Sequence, residues 1–361
     1  MADGGAEIMH METGEPVSGA PAKVIEAAHA ALDGAHLGYT EAEGNPKLRA
    51  RIAQHYAEYY GHGVAPEQVV VTTGASGGLL LAFLAAFDVG DRIAMAEPSY
   101  PAYRNTLAAL GLQSVGLPAG PQTRFQPTVE LLKALKKPVE GLIIASPSNP
   151  TGTMIPRSEF EAIATYCDGE GIRIVSDEIY HGITYGQRAQ TVLAYTAKAI
   201  VASGFSKYFA MTDWRLGWMI FPPELVRPVV RLAQNMFISP PALAQYAAVT
   251  AFDCRAELDA NVARYAENRK VLQHALPEAG FGDLAPSDGA FYVYADVSRL
   301  TNNSQEFCRE MLKATGVAAT PGIDFDTARG NRYVRISFAA DSDTVLRAAD
   351  ALIHWLRPSS E

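Results

Sequence analysis

Residues 203–218 read Ser203-Gly204-Phe205-Ser206-Lys207-Tyr208-Phe209-Ala210-Met211-Thr212-Asp213-Trp214-Arg215-Leu216-Gly217-Trp218. Apolar runs at Ile200–Ser203 and Leu216–Phe221 flank this stretch and predict two strands joined by a loop. The loop carries Lys207 eight residues before Arg215, among hydroxyl and aromatic side chains. Apolar crowding and a nearby cation favour the neutral amine, which is the form that attacks a carbonyl carbon. The alternative is an ordinary solvated lysine.

Short apolar runs alternate with helical patterns on the N-terminal side of this stretch. Further predicted strands lie at Val69–Thr73, Arg92–Ala96, Gln113–Leu117, Gly141–Ala145 and Ile172–Ser176. The helices predicted between them lie at Ser76–Phe87, Pro101–Leu110, Thr128–Leu135 and Arg157–Gly169. This alternation is typical of a mostly parallel sheet with helices on both faces.

The pattern changes after Phe221. The predicted helices are then Glu224–Asn235, Pro240–Phe252, Arg255–Leu276, Ser304–Ala314 and Ser342–Leu356, and the predicted strands are Ala290–Tyr294 and Tyr333–Phe338. We therefore predict an α/β fold whose large domain, residues 36–265, holds the mostly parallel central sheet flanked by helices. A smaller α+β domain is predicted from residues 1–35 and 266–361.

Composition excludes several classes of protein. The chain has 361 residues, of which 48% are hydrophobic and 19% charged, as in globular proteins, and its net charge of −9 disfavours binding to nucleic acid or anionic membranes. The longest apolar run, Leu79–Phe87, is too short to cross a bilayer, and Met1–Gly5 lacks the features of a secretory signal. Three separated cysteines predict neither a disulfide nor a metal site, and we expect a cytoplasmic location.

Three segments each follow a predicted strand, at the edge where open α/β sheets bind ligands. Gly74-Ala75-Ser76 leads into a helix whose first N–H groups could bind an anion, although Ser76 could equally cap that helix. Asn149 lies in a turn and could donate its amide to a phenolic oxygen. Asp177 ends a buried strand and needs a cationic or hydrogen-bonding partner, and Tyr180 could reach the same site. A capping aspartate and a core tyrosine are the alternative.

Three further side chains suit ligand binding. Tyr100 follows a strand and is suited to stacking on a flat ring, and Tyr39 precedes a helix. Arg335 alternates with apolar residues on a predicted strand and could bind a carboxylate through its planar guanidinium. Packing in a core or interface is the alternative for the tyrosines, and a solvated charge is the alternative for the arginine.

Taken together, these segments resemble one family. Their order along the chain is Tyr39, Gly74-Ala75-Ser76, Tyr100, Asn149-Pro150-Thr151-Gly152, Asp177 with Tyr180, Ser206-Lys207, Arg215 and Arg335. In this order the chain is similar to the class I/II pyridoxal-phosphate-dependent aminotransferases of the aspartate-aminotransferase fold, known as fold type I. The resemblance runs from Gly14 to Leu356, nearly the whole chain.

The resemblance implies pyridoxal 5′-phosphate as the cofactor and a role for each residue. Lys207 would carry the cofactor aldehyde as an internal aldimine, a Schiff base, and Asp177 would keep the pyridine nitrogen protonated. Asn149 and Tyr180 would bind the ring oxygen O3′, and Tyr100 would stack on the ring. The phosphate would be held by Gly74, Ala75, Ser76, Ser206 and Arg215, with Tyr39 reaching it from the second subunit of a homodimer. The substrate carboxylate would be bound by Arg335, Asn149 and backbone near Gly14.

The implied activity is transfer of an amino group from an amino acid to a 2-oxo acid by a ping-pong mechanism. Family members specific for dicarboxylates carry a second arginine where this chain has Gln234 and Asn235, so we expect a neutral or apolar donor. Two departures concern the phosphate site. Gly204 stands where many members have serine, so Ser203 or a water would have to replace one hydroxyl. Asp213, where many members have glycine, would either weaken the field of Arg215 or face solvent.

Other functions stay open on this pattern. A β-eliminating C–S lyase or an amino-acid decarboxylase would use the same scaffold, although the Asn149–Thr153 turn lacks a histidine often found in the lyases. A non-catalytic sensor of pyridoxal phosphate or amino acids is the third possibility, and the presence of both Lys207 and Arg335 disfavours it.

Overall fold

The computed structural model describes residues 7–356, so residues 1–6 and 357–361 of the predicted small domain lie outside the described residues. In chain order the strands are β1 Met9–His10, β2 Val69–Thr72, β3 Arg92–Glu97, β4 Gln113–Pro118, β5 Gly141–Ala145, β6 Arg173–Asp177, β7 Ile200–Gly204, β8 Gly217–Ile220, β9 Tyr292–Asp296, β10 Val317–Ala318, β11 Thr320–Pro321 and β12 Tyr333–Ser337. The helices are α1 Ala22–Gly34, α2 Pro46–Tyr60, α3 Gly74–Ala86, α4 Pro101–Ala109, α5 Val129–Lys133, α6 Arg157–Glu170, α7 Pro223–Met236, α8 Ala242–Ala248, α9 Arg255–Glu278, α10 Ser304–Thr315 and α11 Ser342–Leu356.

Seven of these strands form one sheet, in the order β2-β8-β7-β6-β5-β3-β4. Five neighbouring strands of this sheet run parallel to one another, namely β4, β3, β5, β6 and β7, whereas β8 runs antiparallel to both of its neighbours, β2 and β7. The reversal follows from the connection, because parallel strands need a crossover of a dozen or more residues, usually a helix, and the β7–β8 loop contains only a short 3₁₀ turn at Thr212–Trp214. The prediction of a mostly parallel α/β sheet flanked by helices is confirmed.

The central strands are buried on both faces. On β5, Leu142 and Ile144 belong to the core on one side of the sheet, and Ile143 belongs to the core on the other side. A strand covered on both faces carries a continuous apolar run rather than an alternating one, and this is the pattern that β5 has in the sequence.

Local signals fix where several helices begin and end. Asn45 caps α2 by accepting a hydrogen bond of 2.9 Å from the Lys47 backbone N–H. Gly171 ends α6 in the left-handed conformation, with a φ of 73°, which suits glycine because it has no Cβ. The predicted helix at Pro240–Phe252 is shorter in the structure, where α8 gives way to a 3₁₀ segment at Val249–Asp253.

The C-terminal part of the chain builds a second, smaller sheet. Antiparallel strands join in the order β11-β12-β9, and β1 pairs with β10 in a separate two-stranded ladder. Their core includes Met9 and Met11, whereas Val24 and Ala28 of α1 pack in a core of the large sheet. The N-terminal segment therefore contributes to both bodies, and the domain boundaries at residues 35/36 and 265/266 stay a prediction.

We expect Gly217→Ala to lower the free energy of unfolding by about 1–3 kcal/mol, because the new methyl group cannot be accommodated. A Cβ at Gly217 would lie 2.6 Å from the Ala75 nitrogen, and backbone at the start of α3 cannot move aside as a flexible side chain can. Gly169→Ala in α6 is the control. Within the described residues no atom lies within 4 Å of its added Cβ, and we expect stabilisation by up to about 1 kcal/mol. Urea unfolding followed by circular dichroism measures both, and equal effects would contradict the packing at Gly217.

Candidate active site

Strand ends assemble the site at one edge of the large sheet. Ala145 at the end of β5 lies in register with Asp177 at the end of β6, and Asp177 pairs in turn with Ala202 of β7. A cavity of about 360 Å³ opens there. It is lined by Gly14, Ala75, Ser76, Leu79, Tyr100, Tyr103, Asn149, Asp177, Ile179, Tyr180, Ser206, Lys207, Thr212, Arg215, Tyr292 and Arg335.

Lys207 is partly buried in this cavity. Its Nζ donates a hydrogen bond of 2.6 Å to the Gly14 carbonyl oxygen. Burial is the main cause that lowers the pKa of Lys207 to about 8, and the positive charges of Arg335 and Arg215 lower it further, against the opposing effects of Glu15 and Asp177. Near physiological pH the neutral, nucleophilic form of this amine is therefore far more populated than in an ordinary lysine, although the protonated form still predominates.

Asp177 is a buried carboxyl group at the floor of the cavity. It is 5% exposed, and it accepts hydrogen bonds from the Tyr103 hydroxyl at 2.5 Å and from the Ile179 backbone N–H at 3.1 Å. Burial raises the pKa of Asp177, while the two hydrogen bonds and the charge of Lys207 oppose that rise. A cationic N–H donor in the cavity would hold this carboxylate ionised.

The beginning of α3 faces the same space. Thr73 occupies the N-cap position of this 13-residue helix and makes no side-chain capping hydrogen bond in the described chain. The guanidinium of Arg215 crosses the helix start, since a Cβ at Gly74 would lie 2.7 Å from its Nη2 atom. Backbone N–H groups at a helix N-terminus, an arginine and the nearby Ser206 hydroxyl form a set of donors suited to a phosphate.

Arg335 enters the cavity from β12 and is 7% exposed. Its Nη1 donates to Asn149 Oδ1 at 2.9 Å, and its Nη2 donates to Thr320 Oγ1 at 3.1 Å and also to the Glu12 carbonyl oxygen, while Nε has no hydrogen-bond partner among residues 7–356. A buried guanidinium with unused donor capacity is suited to a carboxylate ligand. The contact also occupies Asn149 Oδ1, which directs the Asn149 amide NH₂ away from Arg335 as an available donor.

Most of the predicted site residues line the cavity, with two exceptions. Gly74 lies beneath Arg215 and outside the lining, and Tyr39 is 83% exposed at another part of the surface. Of the two departures, Asp213 is exposed to solvent. Ser203, the proposed substitute for the hydroxyl missing at Gly204, does not line the cavity, and its Oγ donates to the Glu178 carbonyl oxygen at 3.4 Å.

Five lining residues are absent from the predicted site: Leu79, Tyr103, Ile179, Thr212 and Tyr292. Tyr103 lies in α4, three residues after Tyr100, the N-cap residue of that helix, and the two rings pack edge to face with their centroids 5.5 Å apart. Their close spacing along the chain is a signal that the sequence did contain. No sequence signal distinguishes Tyr292, because it lies in a strand whose neighbouring residues are apolar or aromatic and equally buried.

These donors fit pyridoxal 5′-phosphate. The uncapped start of α3 with Arg215 suits the phosphate, buried Asp177 suits a protonated pyridine nitrogen, and Lys207 suits an aldehyde. Nicotinamide and nucleotide cofactors lack an aldehyde for the lysine. Within residues 7–356, no group of three or more His, Cys, Asp or Glu side chains is placed to bind a metal ion.

Comparison with known families agrees with this geometry. The family model described as aminotransferase class I and II matches residues 6–352. The chain belongs to this family. Since the family depends on pyridoxal phosphate, the cofactor is implied for this aminotransferase as well.

Individual relatives cover nearly the whole aminotransferase chain. A valine–pyruvate aminotransferase of Mycobacterium tuberculosis is 52% identical over 97% of this chain and 91% of its own length. A (5-formylfuran-3-yl)methyl phosphate transaminase of Methanocaldococcus jannaschii is 32% identical, over 98% of this chain and 92% of its own. The crystal structure of an aminotransferase from Mycobacterium tuberculosis superposes with a TM-score of 0.95 at 51% identity, covering 97% of this chain and 92% of that one.

In the cofactor-free aminotransferase we expect Lys207 to react with an amine-selective acylating reagent with a midpoint near pH 8, because only the neutral amine reacts. Arg335→Gln removes a cation that lowers this pKa and should move the midpoint upward. Glu15→Gln removes a charge that raises it and should move the midpoint downward. Mass spectrometry of the Lys207 peptide gives the rates. A midpoint near about 10.4, the value of lysine in model peptides, would contradict the burial of the amine.

Proposed function

We propose that this aminotransferase moves the amino group of a neutral, apolar amino acid to a 2-oxo acid, using pyridoxal phosphate held by Lys207. One observation carries the proposal: Lys207 and Arg335 line the same cavity of about 360 Å³. An amino-acid substrate carries a nitrogen and a carboxylate on one carbon atom. A neutral amine and a buried guanidinium in one cavity match those two groups.

Each residue then has a task set by its surroundings. When bound, pyridoxal phosphate supplies an aldehyde that condenses with amines and a ring that withdraws electrons. Its phosphate would be bound by Ala75, Ser76, Ser206 and Arg215, its ring N–H would donate to Asp177, and Tyr100 would pack against the ring. Asn149 and Tyr180 would donate to its ring oxygen. These contacts fix the orientation of the group, so that binding energy is used for positioning.

Lys207 has a second task once the substrate amine has taken its place. With the cofactor bound, the freed Nζ would accept a proton from the substrate Cα as general base and would then donate it, as general acid, to the cofactor carbon that had carried the aldehyde. The pKa of about 8 places this amine close to the working pH, where such proton transfer is most efficient. Release of one 2-oxo acid before the next binds gives ping-pong kinetics.

The proposed donor class rests on two observations. Gln234 and Asn235 are exposed and uncharged, so they supply no second cation for a side-chain carboxylate. The relative at 52% identity is named for valine and pyruvate. Valine has a neutral, branched side chain, which agrees with the class inferred from the residues.

We further propose a homodimer in which Tyr39 reaches the phosphate of the partner's site. Tyr39 is 83% exposed, and Met236 and Ile238 are also exposed apolar residues. The chain that follows Ile238 leads to Gln245, which contacts Thr40, the residue next to Tyr39. Gln245 Nε2 donates both to Thr40 Oγ1 and to the Pro240 carbonyl oxygen, each at 3.0 Å, which joins the two segments. Exposed apolar side chains gathered in this way favour an interface.

We also propose a cytoplasmic location, supported by three buried free thiols in the described chain.

We expect Lys207→Ala to abolish transamination, because it removes the nucleophile.

Arg335→Ala should raise KM for amino acids at least about tenfold more than for simple amines, since a charged hydrogen-bonding partner of the carboxylate is lost. Arg332→Ala is the matched control, as Arg332 is an exposed neighbour that pairs with Asp296 at 3.3 Å. Equal effects on acids and amines would contradict carboxylate binding by Arg335.

A donor panel tests the substrate class. With pyruvate as acceptor, we expect kcat/KM for valine and similar apolar amino acids to exceed that for aspartate and glutamate at least about tenfold, the effect of one unpaired charge. Loss of the absorbance of the lysine-bound cofactor gives each half-reaction. Pyruvate release from cystathionine in the absence of an acceptor is the control for lyase activity, and a rate comparable to transamination would overturn the proposal.

Mixed dimers test the role of Tyr39. Tyr39→Phe should weaken cofactor binding about tenfold through loss of one charge-assisted hydrogen bond, and it should lower activity at limiting cofactor. Coexpression with Lys207→Ala should restore activity, because a mixed dimer then has one site with an intact lysine and an intact partner tyrosine. If Tyr39 served its own subunit, both sites of the mixed dimer would be defective and activity would stay low.

A further inference from the structure

Tyr292 is a cavity residue to which the proposed function gives no task. It begins β9, is 1% exposed and lines the cavity together with Lys207 and Arg335. A buried tyrosine hydroxyl must find a partner, and its choice of partner determines what the residue does.

The surroundings of Tyr292 connect the two halves of the site. Its hydroxyl lies 2.8 Å from the Tyr180 hydroxyl. The guanidinium carbon of Arg335 lies 4.4 Å from the centre of its ring, and the Phe325 ring is 4.8 Å from the same carbon. Arg335 is thus held against two aromatic rings, one of which belongs to the tyrosine that contacts Tyr180.

The hydroxyl of Tyr292 also approaches Gly14. A Cβ added at Gly14 would lie 1.9 Å from the Tyr292 hydroxyl oxygen, so only glycine fits there. Gly14 is the residue whose carbonyl accepts the hydrogen bond from Lys207. Tyr292 therefore adjoins the cofactor side of the site at Tyr180, the substrate side at Arg335 and the backbone that holds the nucleophile.

A count of protons gives the direction of the hydrogen bond. Each hydroxyl carries one proton, and the proposed function has Tyr180 donate its own to the cofactor ring oxygen. The bond of 2.8 Å must then be donated by Tyr292 to Tyr180. A hydroxyl that accepts one hydrogen bond becomes a better donor of another, so Tyr292 strengthens the contact that Tyr180 makes.

We propose that Tyr292 is a positioning residue that couples the two ends of the site, with its hydroxyl polarising Tyr180 and its ring face holding Arg335 for the substrate carboxylate. This inference rests on the proposed function. The hydroxyl and the ring act on different partners, so substitutions separate the two effects.

The hydroxyl is tested by Tyr292→Phe, which keeps the ring. Weaker donation by Tyr180 should raise the pKa of the lysine-bound cofactor by about 0.5 unit, measured by its absorbance against pH. KM for amino acids should change less than about twofold, because the ring beside Arg335 remains. Tyr294→Phe is the matched control. Tyr294 is buried two positions along β9, and its hydroxyl has no hydrogen-bond partner in the described chain, so neither quantity should change.

The ring is tested by replacing Tyr292 with pentafluorophenylalanine, which resembles phenylalanine in shape but lacks the negative ring face that attracts a cation. Relative to Tyr292→Phe, KM for amino acids should rise about threefold or more, with the same cofactor pKa and unchanged KM for simple amines. Thermal unfolding of all variants shows whether the fold is kept.

The outcomes distinguish the inference from the proposed function. If the unsubstituted protein forms no lysine-bound chromophore and transfers no amino group, the proposed function fails. If it does both, and Tyr292→Phe shifts the chromophore no more than Tyr294→Phe, the coupling through Tyr292 is refuted while the proposed function stands. An unchanged KM for the fluorinated variant would refute the contact with Arg335.

Discussion

The antiparallel pairing of β8 with β7 is the constraint on which the site depends. Gly204 pairs with Gly217, and the loop between them returns along the same edge of the sheet without a crossover helix. This one loop carries both Lys207 and Arg215, so the proposed nucleophile and the proposed phosphate-binding cation enter the cavity together. The bare backbone at Gly217 allows the start of α3 to approach, which brings its free N–H groups beside Arg215. A parallel β8 would place these groups at opposite ends of the sheet.

Burial then gives the assembled groups their chemistry. Lys207 and Asp177 are both moved toward their neutral forms by loss of water, and the charges that enter the cavity with ligands restore the balance. Arg335 and Arg215 both lower the pKa of Lys207, and in the proposed function the same two cations bind the carboxylate and the phosphate. The site is therefore an electrostatic unit in which no single charge can be removed without altering the others.

Much of this could be predicted from the sequence, and the failures have physical causes. The strands of the large sheet were predicted because burial on both faces leaves continuous apolar runs. Asp177 and Arg335 stand out because each is a charged residue in or at the end of such a run, and Lys207 stands out as the lone lysine of the loop between two of the strands. The two-residue strands β1, β10 and β11 were missed because they are too short for a periodic pattern. Tyr292 was missed because its hydroxyl contacts Tyr180, more than a hundred positions away in a turn, and a buried tyrosine looks the same in sequence whatever its hydroxyl contacts.

The N-terminal segment links the packing of the two cores to the reactivity of Lys207. Met11 packs in the core of the smaller sheet, Val24 in that of the larger one, and Gly14 lies between them against Lys207. The cavity is complete only when both cores have formed around the segment between Met11 and Val24. In an unfolded chain Lys207 is hydrated and has the pKa of an ordinary lysine, so its amine is almost entirely protonated at neutral pH. Packing of both cores is therefore what lowers its pKa and makes the amine reactive.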